Sequence, residues 1–344
     1  MQTSNRLYNL DYLRGLAAFG IMIYHYFSWI FGTFSSNTFM GRIGLYGVSI
    51  FYVLSGLTLY YVYYENMKIC YKDIFAFAKK RFFRIFPLLW LVTISAILLS
   101  GKTPDWYNLF LNLTGLFGFI KWDTYFSAGI WSIGNELVFY VFFPFFVLFA
   151  KSNKKLLIIL SVTIFLLYIY FAFNKLDSQT PFSYQWKNYI NPLNQVFLFL
   201  GGFLTGLLFK KVKINSITTI LLLLFGIALF AFYPVNGDRI NLVTGVNRLI
   251  FTFCCFLICF CFYKLTIKFP EFIHKPLTLL GEVSYSVYLL HPLVWSIIFN
   301  KYLLTIPVSI KASLSVIFTL IISYFTYQYF EKFFMKIGRK NKVT

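Results

Sequence analysis

Charge is what this sequence has least of. Only 12% of its 344 residues are Asp, Glu, Lys or Arg, about half the roughly 25% of soluble domains. So few charges cannot coat a water-facing surface for a chain of this length, which excludes a soluble globular enzyme and a disordered chain. Acid is scarcer still, with Asp+Glu 11 against Lys+Arg 31 and a formal net charge of +20. In a soluble protein that excess would point to nucleic acid. In a membrane protein it is explained by cytoplasmic loops that meet anionic lipid headgroups, so no nucleic-acid partner is expected. Cysteine is also sparse. Cys254, Cys255, Cys259 and Cys261 share one apolar run without the paired spacing or histidines of a metal site. They read as small apolar residues of an embedded helix, and neither a disulfide nor a metal is expected. The beginning of the chain lacks a basic n-region and an A-x-A cleavage motif, so its first helix is expected to be retained. Internal repeats, low-complexity tracts and long linkers are missing as well, and the expectation is one membrane domain over 1–344.

What the chain has in quantity is apolar and aromatic residues, 59% and 23%. A span needs about 20 mostly apolar residues at ~1.5 Å each. Ten stretches qualify: 10–31, 43–63, 85–100, 129–150, 156–173, 193–209, 216–233, 249–267, 277–298 and 306–329. The segment 106–120 reads as an interfacial or re-entrant piece. With the N-terminus inside, roughly two thirds of the Lys and Arg residues fall on the cytoplasmic side, and every inner loop carries more of them than its outer neighbours. The expected fold is an all-α polytopic bundle of about ten spans with both termini cytoplasmic.

Against that background each titratable residue inside a span asks for a reason, because a charge at a helix centre costs at least about 2.5–3.5 kcal/mol. The first span carries Asp11, Arg14 and His25. Asp11 lies one turn from Arg14, placed to pair with it. Arg14 and His25 are only about 20° apart around the helix and about 16 Å apart along it. The fourth span carries Glu136 behind Trp131 and Ser132, and Ser132, Glu136 and Tyr140 share a face. Glu136 is expected to have no partner within its own helix. The ninth span presents Ser284, Tyr288 and His291 as one polar stripe. Each has a plain structural alternative: an Asp11–Arg14 cap, a satisfied core histidine at 25, a salt-bridged or neutral Glu136, and interhelical glue along 284–291.

Depth relates them. Counted along their helices, His25, His291 and Glu136 fall about 22, 21 and 20 Å from the cytoplasmic edge. If they meet laterally they form a His–Glu acid/base site in a water-accessible cavity. Below it would sit Arg14, with Lys79, Lys80, Arg81 and Arg84 at the cytoplasmic mouth. That run is a topology anchor in its simplest reading, and it also suits phosphates. The pattern fits a phosphate-bearing donor inside and an acceptor outside, and leaves group transfer and transport both open.

Six segments in order resemble acyltransferase family 3, the integral-membrane O-acyltransferases. They are Leu10–Ala18 with His25, Gly47–Gly56, Lys80–Pro87, Trp131–Tyr140, Leu280–Pro292 and Tyr329–Lys332. In the third, Lys80 stands where a second arginine is common. The resemblance implies transfer of an acyl group, usually acetyl, from cytoplasmic acyl-CoA to a hydroxyl of an outward-facing carbohydrate, lipid-linked or free. It implies His25 as general base or transient acyl carrier, Glu136 as its orienting carboxylate, and Arg14 on the donor or the acyl carbonyl. Arg81, Arg84 and Lys80 would hold the CoA phosphates, with Asp11, Trp131, Ser132, Tyr288 and His291 in support. Acetyl-CoA is thus the expected co-substrate, membrane lipids the expected surroundings, and a bacterial inner membrane the expected location. Some members carry an additional extracytoplasmic domain; this chain, ending soon after its tenth span, is expected to do the whole transfer or hand off to a partner.

Two other readings compete. A transporter or flippase of lipid-linked sugars or small metabolites shares the spans and buried ions, but is normally built from repeats or broken helices. An acyltransferase for a small molecule, lipid or peptidoglycan, or one using succinyl groups, would have the same core. Trp106, Tyr107, Trp122, Tyr184 and Trp186 fit sugar stacking and an ordinary interfacial belt equally.

Overall fold

Every one of the ten apolar stretches is helical. The computed structural model describes residues 6–267, 269–299 and 306–339, and among these no strand occurs. The helices are α1 (Tyr8–Phe31), α2 (Phe39–Tyr63), α3 (Tyr71–Ser100), α4 (Trp106–Thr114), α5 (Phe117–Ile120), α6 (Ile130–Ser152), α7 (Lys154–Tyr170) and α8 (Trp186–Tyr189). They continue as α9 (Pro192–Phe209), α10 (Ser216–Phe232), α11 (Ile240–Val243), α12 (Gly245–Lys264), α13 (Glu271–Ile297), α14 (Val308–Phe325) and α15 (Lys332–Arg339). Two π-helical turns, Phe171–Lys175 and Thr326–Glu331, extend α7 and α14.

Among the described residues, eight of the ten lie in helices long and apolar enough to cross a membrane. The others are α10, a 17-residue helix, and α1, long enough at 24 residues but diluted by Arg14, His25 and its tyrosines. Segment 106–120 forms the short pair α4 and α5, with Asp105 capping α4 by accepting from the Asn108 N–H at 2.8 Å. The basic run before Pro87 is not a loop. It lies within α3, which begins at Tyr71 and carries Pro87 in its interior. Reading a span from apolar residues alone places its start too late when a helix extends past the hydrocarbon into a charged end.

The chain divides into two compact units, each collected from three stretches. The first comprises Met1–Tyr63, Ile164–Trp186 and Phe197–Ser284. Its helices approach closely through glycines: a Cβ on Gly15 of α1 would stand 2.7 Å from the Gly281 nitrogen, and one on Gly281 would stand 2.3 Å from the Asp11 carbonyl oxygen. Small residues at crossings let backbones touch where lipid offers no hydrophobic drive. Since the obstructing atoms are backbone, no rotamer change relieves them. Gly281→Val is therefore expected to force α1 from α13 and lower stability by at least about 1–3 kcal/mol, read as a lower thermal midpoint in detergent. An unchanged midpoint would show that the crossing tolerates a side chain.

The second unit comprises Tyr64–Thr163, Lys187–Val196 and Tyr285–Thr344. It is built around α6, whose Ile130, Phe139, Phe143 and Phe146 are fully buried. Gly129 opens α6 at φ +89°, a left-handed conformation that favours glycine, and the Tyr288 ring lies 3.1 Å from where its Cβ would be. Trp122 Nε1 donates to the Lys187 carbonyl at 2.9 Å, and Lys187 pairs with Asp123 at 2.9 Å.

Candidate active site

In the first unit, the N-terminal end of α1 is a charge cluster. Arg14 Nη1 meets Asp11 Oδ1 at 3.2 Å, the pair expected from their spacing, and Arg14 Nη2 donates to Thr58 Oγ1 of α2 at 3.0 Å. The second Asp11 oxygen accepts from Arg6 Nε at 2.7 Å, and Arg6 Nη1 also reaches Glu282 Oε1 at 2.7 Å. Arg6 thus bridges α1 to α13, across a separation in sequence that periodicity does not reveal. Asp11 is divided between two guanidiniums and is best described as the residue that aims Arg14.

His25 lies near the other end of α1, half-buried. Its ring stacks on Trp29 with centroids 5.2 Å apart, and Tyr24 tilts against it at 5.3 Å. The seat of Tyr24 is fixed by Gly44 of α2, where a Cβ would fall 2.2 Å from the phenol ring. Arg239 Nη1 donates to Tyr24 Oη at 2.6 Å. Nothing in the sequence related Arg239 to α1, because the two lie 215 residues apart.

The loop that precedes α8 closes this end of the unit. The Asp177 carboxylate accepts from the Gln179 N–H and the Thr180 hydroxyl, and these bonds hold its pKa below the usual value. A depressed carboxylate pKa supports the folded loop above the unfolded pKa, and that support fades as pH falls through the folded one. Beyond it, the Phe182 N–H donates to Asp238 Oδ1 at 2.9 Å.

The second unit holds Glu136, Trp131, Ser132, Tyr288, His291 and the basic residues of α3. Contrary to expectation, Glu136 has a partner in its own helix: Tyr140 Oη donates to Glu136 Oε1 at 2.6 Å. An i,i+4 tyrosine is long enough to reach back one turn, a pairing that looking only for basic partners misses. The Tyr140 ring also carries the Arg81 guanidinium at 5.8 Å, so Glu136, Tyr140 and Arg81 form one connected group. Ser132 Oγ and Tyr288 Oη share a hydrogen bond at 2.8 Å, and both reach the Gly129 carbonyl. This joins α6 to α13, and Tyr288 acts here as interhelical glue. His291 is fully buried, with Nδ1 3.1 Å from the Val287 carbonyl. A protonated Nδ1 donates there and leaves Nε2 as the acceptor. Trp131 rests on Tyr189 at 6.3 Å.

Arg84 is committed to Glu331. Its Nη1 meets Glu331 Oε2 at 3.0 Å, its guanidinium lies over Tyr285 at 5.4 Å, and Glu331 is only 3% exposed. Ser286 Oγ donates to the second Glu331 oxygen. The expected phosphate contact of Arg84 therefore competes with a buried ion pair. Lys79, Lys80 and Arg81, just before Arg84 in α3, are half-exposed. Glu331 stands at the end of the Thr326–Glu331 π-turn, and such insertions often re-aim a functional side chain.

The sequence-predicted residues thus sort by unit, Asp11, Arg14 and His25 in the first and the others in the second. Within the units the structure brings together Asp11 with Arg14 and Ser132 with Tyr288. Cys254, Cys255, Cys259 and Cys261 pack as fully buried residues of α12. Compared with known families, residues 7–328 match the model of an acyltransferase domain. No curated protein and no solved structure matches the chain.

Proposed function

Because the chain belongs to acyltransferase family 3, whose model spans residues 7–328, we propose that this multi-pass protein carries an acetyl group from cytoplasmic acetyl-CoA to a hydroxyl of an extracytoplasmic carbohydrate. Transfer of an acyl group follows from the family. The donor, the direction and the carbohydrate are our reading, as is residence in a bacterial inner membrane. The observation that supports it most is α1 itself, with a guanidinium steadied by Asp11 and Thr58 at one end and a half-buried imidazole among aromatic rings towards the other.

In this reading His25 is the general base. Its neutral nitrogen takes the proton of the acceptor hydroxyl as that oxygen attacks the acyl carbonyl carbon. The carbon–sulfur bond then breaks, and the imidazolium returns the proton to the departing thiolate. Arg14 polarises the carbonyl or holds the donor, Lys80 and Arg81 take the donor's phosphates, and Glu136, steadied by Tyr140, is the carboxylate required for turnover. Trp131, Ser132, Tyr288 and His291 shape the second unit's polar lining. Family membership favours transfer over the transport reading. The test is NMR of the surface polysaccharide from cells lacking the gene and complemented with wild type or Arg14→Ala. Acetyl signals should return with wild type and stay absent with Arg14→Ala at equal protein level. Full acetylation by the variant would refute the role of Arg14.

A further inference from the structure

The first unit gathers arginines at the His25 end of α1, and they are not alike. Arg42, 2% exposed, is spent on backbone, donating to the carbonyls of Ser36, Phe230 and Tyr233. Arg248 is buried against the Tyr168 ring at 4.1 Å. Arg239 is half-exposed. It gives one hydrogen bond, to Tyr24 Oη, and lies over the Phe182 ring at 5.1 Å. Among the described residues no carboxylate comes within salt-bridge distance of it. Its neighbour Asp238 is turned away to accept from the Phe182 and Ile240 N–H groups at 2.9 and 2.8 Å.

A guanidinium held by one phenol and an aromatic face has N–H groups left over. Its fork matches the paired oxygens of a carboxylate or phosphate. Arginine outside the membrane also runs against the usual bias of basic residues to the inside. Tyr24 links this cation to the reaction centre, because its hydroxyl accepts from Arg239 while its ring lies 5.3 Å from that of His25.

We propose that Arg239 holds an anionic group of the acceptor, so that the substrate class is a hydroxylated molecule bearing a carboxylate or a phosphate, such as a uronic acid residue or a sugar phosphate. The proposal rests on the reading of His25 as the transfer centre. The test follows labelled acetyl transfer from acetyl-CoA by the purified full chain to methyl glucuronoside, glucose 1-phosphate or methyl glucoside. Wild type should prefer an anionic acceptor by about 10- to 100-fold in kcat/KM, the worth of a charge-assisted hydrogen bond. The better of the two anions names the source. Arg239→Gln should collapse that preference, mainly through KM, and Arg239→Lys should keep part of it. Absence of preference in wild type, an equal fall for all three acceptors in Arg239→Gln, or no transfer to either anion would overturn the proposal. The same assay on His25→Ala separates the two claims: undiminished transfer there, with the Arg239-dependent preference intact, would remove His25 and leave Arg239 as the anion site.

Discussion

His25→Ala is expected to lower acyl transfer by about 10²- to 10⁴-fold, the range a positioned base contributes. The loss should fall on kcat, with KM for acyl-CoA little changed, because in the proposed mechanism the imidazole acts on the hydroxyl and not on the donor's phosphates. His25 is half-buried and its ring stacks on Trp29 and tilts against Tyr24. In the proposed role the imidazole serves chemistry, so the thermal midpoint of the variant should stay near that of wild type. Steady-state kinetics beside a melting curve on the same preparation checks both parts. A variant within a few-fold of wild type would strip His25 of its role; one that is inactive and also strongly destabilised would assign the residue to structure.

Glu331→Ala is expected to cost about 3–5 kcal/mol, since removing one partner of a buried ion pair leaves the other charge uncompensated. Glu331 is 3% exposed and takes both Arg84 and Ser286, so the truncation orphans a guanidinium and a hydroxyl together. The paired replacement Arg84→Met with Glu331→Met removes both charges and should recover most of the loss, because apolar substitutes of similar volume are often neutral. Thermal unfolding of the three proteins in one detergent reads this directly. If Arg84→Ala left stability intact while weakening acyl-CoA binding, the arginine would belong to the donor site and not to the pair.

How much of this was legible beforehand depended on distance in sequence. Helix positions were readable because an apolar stretch near 20 residues has few other uses, and the Asp11–Arg14 pair was readable because one turn separates its members. The reach of α3 back to Tyr71 was hidden by charges that resemble a loop. Glu136–Tyr140 lies within one turn, but a phenol carries no charge to mark it as a carboxylate's partner. Arg84–Glu331, Arg6–Glu282 and Arg239–Tyr24 join residues more than 200 positions apart. No periodicity carries such pairings; tertiary packing alone makes them. The six recurrent segments conveyed the family without conveying this wiring, in which Arg84 serves Glu331 and Gly56 serves α9 through a close approach to the Phe199 carbonyl.

The most direct measurement places purified protein in sealed liposomes, with labelled acetyl-CoA on one side and a sugar acceptor on the other. Wild type should deposit alkali-labile label on the acceptor and release one free CoA for each ester formed, and His25→Ala should deposit at least about a hundredfold less. Label reaching the acceptor equally well with His25→Ala, or CoA released with no ester formed, would contradict the account.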